Sequence, residues 1–375
     1  MRQAGKTIGG ILTGLAVLWT SAAGAASTAT QSVRFYFPPP GQAIENQDRR
    51  RPDEVGLNPA VIDQLRAFIG EHPDRGRRSA PRWALWRHGH LVHVEGDFHQ
   101  RVDVASLRKT WHALTVGAAI RQGKIPSLDQ KISAFETDLT GNDADATWRH
   151  VITQSAGFDY PYDDHPDFKP GEMWTYSDHN PVRLCRALAR VYGKKDYHDS
   201  YAEVLKQAYF DAIGMDGWSV VFTKDGKTGK EDGVRLSISL EHMGRLGLLV
   251  LARGTWEGRE LIPQWFVEAL ETKQTRGMKV NYNGPYDGII GLDPRQFPEC
   301  PYGFMTWVNT DGDHFPGADK AWAWGSGAGG TKIMWNRNNG IVFAGVSIAA
   351  EPGTQSIPHI IERNIAGPNR LAVGR

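Results

Sequence analysis

Strand-like runs stand at the two ends of this chain and helix-like runs fill its middle, an order that admits few folds. Near the start, Trp83–Arg87 and Leu91–Glu95 flank His88-Gly89-His90 as a hairpin whose tip histidines are expected to be exposed. Near the end, Thr331–Trp335 and Ile341–Ile348 form a second hairpin across Arg337-Asn338-Asn339-Gly340. From Ser106 to about Leu270 helices are expected to dominate. The first and last segments then build one antiparallel sheet, and the middle forms a helical region, an α+β fold. Asn58 caps a helix with Pro59 in its first turn and Val61, Ile62, Leu65, Phe68 and Ile69 on one face; a short helix around His359 to Asn364 ends the chain.

Ser106 opens the first helix of the middle region, where Leu107, Trp111, Leu114 and Ala118 recur at helical spacing. Lys109 is its i+3 neighbour, so the amine can reach the Ser106 hydroxyl on one face. Backbone N–H groups at a helix start lack intrahelical partners, and one can donate to an oxyanion formed when the hydroxyl attacks a carbonyl. A Ser-x-x-Lys arises about once by chance in a chain of this length, and its plain alternative is an N-cap serine beside a solvated lysine. Further on, Pro170-Gly171-Glu172-Met173-Trp174-Thr175-Tyr176-Ser177-Asp178 reads as a turn into a helix beginning near Asn180. A phenol held on that bend near a lysine can accept a proton; an ordinary half-buried tyrosine with Asp178 as the helix cap is the alternative. Four glycines between Trp322 and Gly330 then mark a bulge or a close approach, such as a strand edge presenting N–H groups to a substrate carbonyl.

Together these motifs resemble the serine β-lactamase and penicillin-binding-protein superfamily, most of all its class C branch with the related esterases and 6-aminohexanoate-dimer hydrolases. The branch's Ser-x-x-Lys reads here as Ser106 to Lys109, and its Tyr-x-Asn as Tyr176 to Asp178. Its Lys-Thr-Gly, His-x-Gly or Trp-x-Gly reads as Trp324 to Ser326 before Gly329-Gly330. Ile152-Thr153-Gln154-Ser155-Ala156-Gly157-Phe158 is similar to the family's Leu-x-His-x-Ser-Gly-Leu, and Ile213-Gly214-Met215 to its Leu-Gly-Met. The resemblance spans about residues 50 to 365. It implies a β-lactamase/transpeptidase-like fold with a sheet of five or more strands, formed by 56–105 and 285–375, and a mainly helical domain over 106–284, the site lying between them. It also implies two-step acyl transfer, with Ser106 as nucleophile and Lys109 and Tyr176 moving its proton. The N–H groups of Ser106 and Gly327 would hold the oxyanion, and Asp178, Trp324, Gly325 and Ser326 would support or bind the substrate.

Two departures bear on the substrate. Trp324 stands where β-lactamases carry a lysine, which removes the cation that receives a β-lactam or peptide carboxylate, and it resembles the family's esterases in this. Asp178 stands where class C enzymes have Asn, and near Lys109 it would hold the amine protonated and shift the base role toward Tyr176. The expected activity is a carboxylesterase on small or apolar acyl esters. The alternatives are an amidase or 6-aminohexanoate-oligomer hydrolase, a D-amino-acid peptidase, a weak β-lactamase, or a non-turnover penicillin-binding-like sensor. Trp174 and Trp324 within the motifs suggest an apolar or aromatic acyl or alcohol group.

The 43 basic and 42 acidic residues give no field to attract nucleic acid, and no nucleic-acid-binding motif is present. The expected partner is a small-molecule ester or amide, with no cofactor, no metal and no oligomeric state implied. Arg2 and Lys6 before an apolar run, closed by Ala23-Gly24-Ala25, read as a signal peptide over residues 1–26, cleaved near Ala25 or Ala26, with no membrane anchor left. The mature enzyme is then periplasmic or secreted. Residues 27–55, with Pro38-Pro39-Pro40 and Arg49-Arg50-Arg51, read as an extended arm. Asp159–Asp167 reads as a loop rimming the site or merely solvated. Cys185 and Cys300 are expected as separate buried thiols, with a disulfide as the alternative. His112 and His179 adjoin the motifs, where a structural hydrogen bond is expected ahead of a tuning role.

Overall fold

A computed structural model describes residues 34–41, 47–74, 76, 79–158, 168–177, 179–224, 226, 229, 231–281, 299–349 and 353–369. In chain order its helices are α1 (Ala60–Glu71), α2 (Arg108–Arg121), α3 (Trp148–Ile152), α4 (His179–Val191), α5 (Tyr197–Leu205), α6 (Leu240–Leu251), α7 (Gln264–Leu270) and α8 (Ile357–Arg363). The strands begin with β1 (Arg82–Arg87), β2 (His90–Glu95), β3 (Val102–Asp103), β4 (Met173–Trp174), β5 (Ser219–Lys224) and β6 (Glu231–Ile238). They continue with β7 (Thr255–Trp256), β8 (Arg259–Glu260), β9 (Lys279–Val280), β10 (Trp307–Val308), β11 (Trp322–Gly327), β12 (Thr331–Asn336) and β13 (Ile341–Val346).

The two terminal hairpins join through β1 and β13, with Leu85 opposite Phe343, to give a six-stranded sheet in the order β10-β11-β12-β13-β1-β2. Every pair in it is antiparallel. All six residues of β1, β12 and β13 are buried, so side chains on both faces of the sheet are covered. On one face α6 lies so close that a Cβ on Gly247 would meet Val342 and Ile333, and one on Gly244 would meet Trp86. On the other, Met334 and Lys332 share a cavity with Phe68 of α1 and Ile357 and Pro358 of α8. One continuous core links Leu65, Trp83, Leu114, Leu188, Leu249, Trp335 and Ile361 across the sheet and the helices.

Local signals set the ends of several elements. The Asn58 side chain accepts from the Ala60 N–H at 3.0 Å, opening α1 where its cap is expected. Two readings are corrected. His88 and His90 are buried rather than exposed, because the tip of the β1–β2 hairpin is covered by the chain around Tyr36. The Tyr36 N–H donates to the His88 carbonyl at 3.0 Å, and the Tyr36 ring stacks on His90. Burial pushes the His88 imidazole down to about 4. The middle of the chain is also less helical than its pattern suggests. The alternating run Val220-Val221-Phe222-Thr223 pairs with β6 as a hairpin, and β6 in turn pairs with β3. That second sheet supports the residues just before Ser106.

Candidate active site

The segment around Ser106 is held in a strained turn against the sheet. Val104 donates its N–H to Leu236 of β6 at 3.0 Å, and its carbonyl accepts from the Thr331 hydroxyl of β12 at 2.8 Å. Ala105 follows at φ 47°, a left-handed conformation unusual for a residue with a Cβ, and the Asp103 carboxylate takes its N–H at 3.0 Å. Ser106 lies in the short 3₁₀ turn Ala105–Leu107 that leads directly into α2. Arg108 through Ala119 are all buried, so α2 is enclosed on every side. In its first turn, three residues after Ser106, Lys109 places its Nζ 3.0 Å from Ser106 Oγ, and the lysine is only 1% exposed. The i+3 spacing thus delivers the amine to the hydroxyl.

Tyr176 arrives from another part of the chain. Lys109 Nζ sits 4.4 Å from the centroid of its ring, so the amine contacts both the hydroxyl and the phenol side chain. The ring stacks on Trp307 at 6.1 Å with planes 20° apart, and Trp307 stacks in turn on Trp324 at 6.5 Å and 18°. Just before it, β4 pairs in parallel with β9, and Asn281 donates its N–H to the Trp174 carbonyl at 2.9 Å. Asp178 lies outside the described residues, as do Asp159–Asp167.

Two glycines of β11 lie against the start of α2 and the turn before it. A Cβ on Gly325 would run into Leu107 and approach Thr110 Oγ1 at 3.0 Å, while one on Gly327 would land on the Val104 carbonyl and lie 2.5 Å from Thr331 Oγ1. Their absent side chains let the Val104–Thr110 segment press against the strand and bring Ser106 beside it. On the opposite edge, β10 pairs with β11 only at Trp307↔Trp324 and Val308↔Ala323. Among the described residues, Gly325, Ser326 and Gly327 therefore have a strand partner on the β12 side alone. A strand edge of this kind, next to a serine with a lysine in contact, can receive an acyl group by backbone hydrogen bonds and attack its carbonyl.

A family model for β-lactamase matches residues 65–359. The chain belongs to the β-lactamase family. It is thus a hydrolase of the serine β-lactamase and penicillin-binding-protein superfamily, whose members include esterases, amidases and class C β-lactamases. No curated protein matches it significantly in sequence. Solved structures resemble it at low identity. A proposed β-lactamase from Bacteroides dorei shares 13% identity at a TM-score of 0.60, covering 81% of this chain and 98% of that one. A proposed 6-aminohexanoate-dimer hydrolase from Bacillus anthracis shares 16% at 0.58, covering 89% and 86%. EstCE1, a hydrolase with promiscuous acyltransferase activity, shares 13% at 0.56, covering 84% and 98%. At these identities the likeness carries the fold and not the substrate.

Within this β-lactamase-family site, some residues surface that the motifs do not announce. Thr110 Oγ1 donates to the Met305 carbonyl at 2.9 Å, and the Met305 N–H donates to Ile152 at 2.6 Å, so α2, the β10 approach and the end of α3 are tied in one line. Gln154 and Trp307 both hold the Tyr176 bend; Gln154 stands in the flanking Ile152–Phe158 segment, which gives no sign of this role, and no local pattern marks Trp307. The two motif tryptophans are buried: Trp174 is 1% and Trp324 3% exposed, packed against Trp307 and against His314 and Phe315 respectively, and Trp324 also lines the cavity shared by Met334 and Lys332. His112 makes a structural bond, its Nδ1 lying 3.0 Å from the Tyr201 hydroxyl. Burial, with Arg108 and Lys109 adding, pushes that imidazole down to about 3. Cys185 and Cys300 are buried thiols and form no disulfide.

Proposed function

We propose that this enzyme is an exported serine carboxylesterase acting on small or apolar acyl esters through a Ser106–Lys109–Tyr176 acyl-enzyme mechanism. The observation that carries the reading is the 3.0 Å approach of Lys109 Nζ to Ser106 Oγ beside the β11 edge that has no strand partner among the described residues. Ser106 Oγ bonds to the ester carbonyl carbon while its proton passes to the Lys109–Tyr176 pair. The N–H groups of Ser106 and Gly327 hold the oxyanion, and the pair returns the proton to the departing alcohol as the C–O bond breaks. Water repeats the sequence on the acyl-enzyme and frees the acid. Trp324 supports an ester over a β-lactam, since its buried indole offers no cation to a substrate carboxylate. The basic, apolar and small-residue order of residues 1–26 supports export.

The test is steady-state hydrolysis of p-nitrophenyl butyrate by the mature protein and its Ser106→Ala variant, with a chromogenic cephalosporin and a matched p-nitroanilide in parallel. Serine-dependent ester turnover well above the other two supports the reading. Dominant cephalosporin turnover would return it to the β-lactamases, and dominant anilide turnover to the amidases. N-terminal sequencing of protein recovered from periplasm or medium tests export: a first residue near Ala26 supports it, and an intact Met1 in the cytoplasm overturns it.

A further inference from the structure

We infer that Gln154 is the positioning residue for Tyr176, a role that rests on the Ser106–Lys109–Tyr176 reading above. Gln154 is fully buried and sits at φ 61°, where a glycine would be at ease and a glutamine is strained. Its side chain explains why glutamine is there. Oε1 accepts from the Ser177 N–H at 2.9 Å, and Nε2 donates to the Ser177 carbonyl at 3.2 Å, so one amide matches the peptide groups of Ser177 as a strand partner would. Oε1 takes a second bond from Asn180 Nδ2 at 2.9 Å, which fixes which way the amide faces. The Gln154 carbonyl also accepts from the Thr175 N–H at 2.9 Å. A single residue therefore grips the backbone on both sides of Tyr176.

The grip falls mainly on the bend, with one further bond to Asn180 in the first turn of α4. Helix α4 is anchored separately, through Arg183, Arg186 and Arg190 gathered on the fully buried Glu136. Without the Gln154 amide the helix keeps that anchor, while Ser177 loses both side-chain bonds that hold its peptide groups next to Tyr176. The phenol must meet Lys109 and Ser106 within a fraction of an ångström, and small misplacements of a reacting group cost large factors in rate. Gln154 thus acts on turnover through Tyr176 and touches no substrate.

A double-mutant cycle with Gln154→Met and Tyr176→Phe decides it, read as kcat and KM for p-nitrophenyl butyrate and as the rate of Ser106 labelling by a fluorophosphonate. Methionine keeps the volume and removes both donor and acceptor. Gln154→Met is expected to lower kcat about 10- to 100-fold with KM changed less than about threefold. In the Tyr176→Phe background it is expected to cause no further loss. Losses that multiply, or a Gln154→Met rate near wild type while Tyr176→Phe is slow, would overturn the inference and leave the parent mechanism standing. A Tyr176→Phe rate equal to wild type would instead bring down the parent mechanism, and this inference with it. If Gln154→Met does not fold, Asn180→Leu, which removes one of the two bonds to Oε1 and leaves the amide less firmly held, is carried through the same cycle with a smaller loss but the same expected coupling, and multiplicative losses there overturn the inference equally.

Discussion

The two halves of the proposed catalytic constellation are held in place by different means. Ser106 and Lys109 belong to one turn of chain, and the helix itself sets their 3.0 Å contact. Tyr176 sits on a bend, and its place depends on Gln154, on Trp307, and on the β4–β9 pairing. The first arrangement is local and enclosed on all sides; the second is assembled from segments more than twenty residues apart, as the separation of Gln154 from Ser177 shows. A local arrangement resists distant substitutions, whereas an assembled one can be degraded from several directions without touching the tyrosine.

The largest effects should therefore come from the local half. Ser106→Ala is expected to lower ester turnover by about 10⁴-fold or more and to abolish fluorophosphonate labelling, since it removes the hydroxyl that Lys109 Nζ approaches at 3.0 Å. Lys109→Ala should lower kcat by about 10²- to 10⁴-fold. Labelling kinetics by intact mass spectrometry checks both, and a Lys109→Ala enzyme at near wild-type rate would remove the lysine from the mechanism.

Strand β11 offers a sharper test of how the local half is seated. Alanine at Gly327 drives its Cβ onto the backbone carbonyl of Val104, which cannot step aside without moving the turn that holds Ser106. A loss of about 10²-fold in kcat and about 1–3 kcal/mol in stability is expected. Alanine at Gly325 meets chiefly the Leu107 side-chain tip, which can rotate, so its loss should be nearer tenfold. Chemical denaturation and kinetics on the two variants measure the difference; equal effects would mean that the strand, not the Val104 contact, sets the position of Ser106.

The assembled half is tested at Trp307. Trp307→Leu removes the ring stacked on Tyr176 at 6.1 Å and opens a gap beside Trp324, at a stability loss of about 3 kcal/mol. Turnover is expected to fall about tenfold, mostly in kcat, because Gln154 still grips the bend. An unchanged kcat would show that the backbone grip alone orients the phenol.

The same division explains what could be read from the sequence. Ser106 and Lys109 were legible because i+3 spacing converts directly into a contact. The terminal hairpins and their shared sheet were legible from period-two patterning and turn residues. Gly325 and Gly327 were legible as a close approach, but the approaching group is the Val104–Thr110 segment, which only the fold reveals. Gln154 was visible only as part of a flanking segment, since a bond between residues 154 and 177 leaves no local trace. The β5–β6 hairpin was missed because helical patterning surrounds it, and His88 and His90 were misplaced because the cover at their hairpin tip comes from Tyr36, far away in the chain. The burial of Trp174 and Trp324 among other aromatic rings was not legible, because those rings come from distant segments.

The smallest expected effect separates stability from catalysis within the local half. His112 lies one turn beyond Lys109 on α2, buried and bonded to Tyr201, with its imidazole held at about 3. In the unfolded chain it titrates near the ordinary histidine value of about 6.5. As pH falls below that value the unfolded state takes up a proton that the folded state refuses, so stability present above pH 6.5 drains away until the folded group itself titrates. Each such histidine removes about 1.4 kcal/mol per pH unit in that window, or about 2 kcal/mol between pH 7 and pH 5. His314, against Trp324 and held at about 4 by burial, adds to the same loss. His112→Asn places an amide where Nδ1 meets Tyr201 and removes one titrating group. It should lessen the fall in urea-derived stability between pH 7 and pH 5 by about 2 kcal/mol while changing kcat less than about threefold. A pH dependence of stability equal to wild type would mean that His112 takes up its proton in the folded state. A large loss of kcat would mean that the packing of α2 around His112 helps set the Ser106–Lys109 contact, and the local half would then lean on its surroundings as the assembled half does.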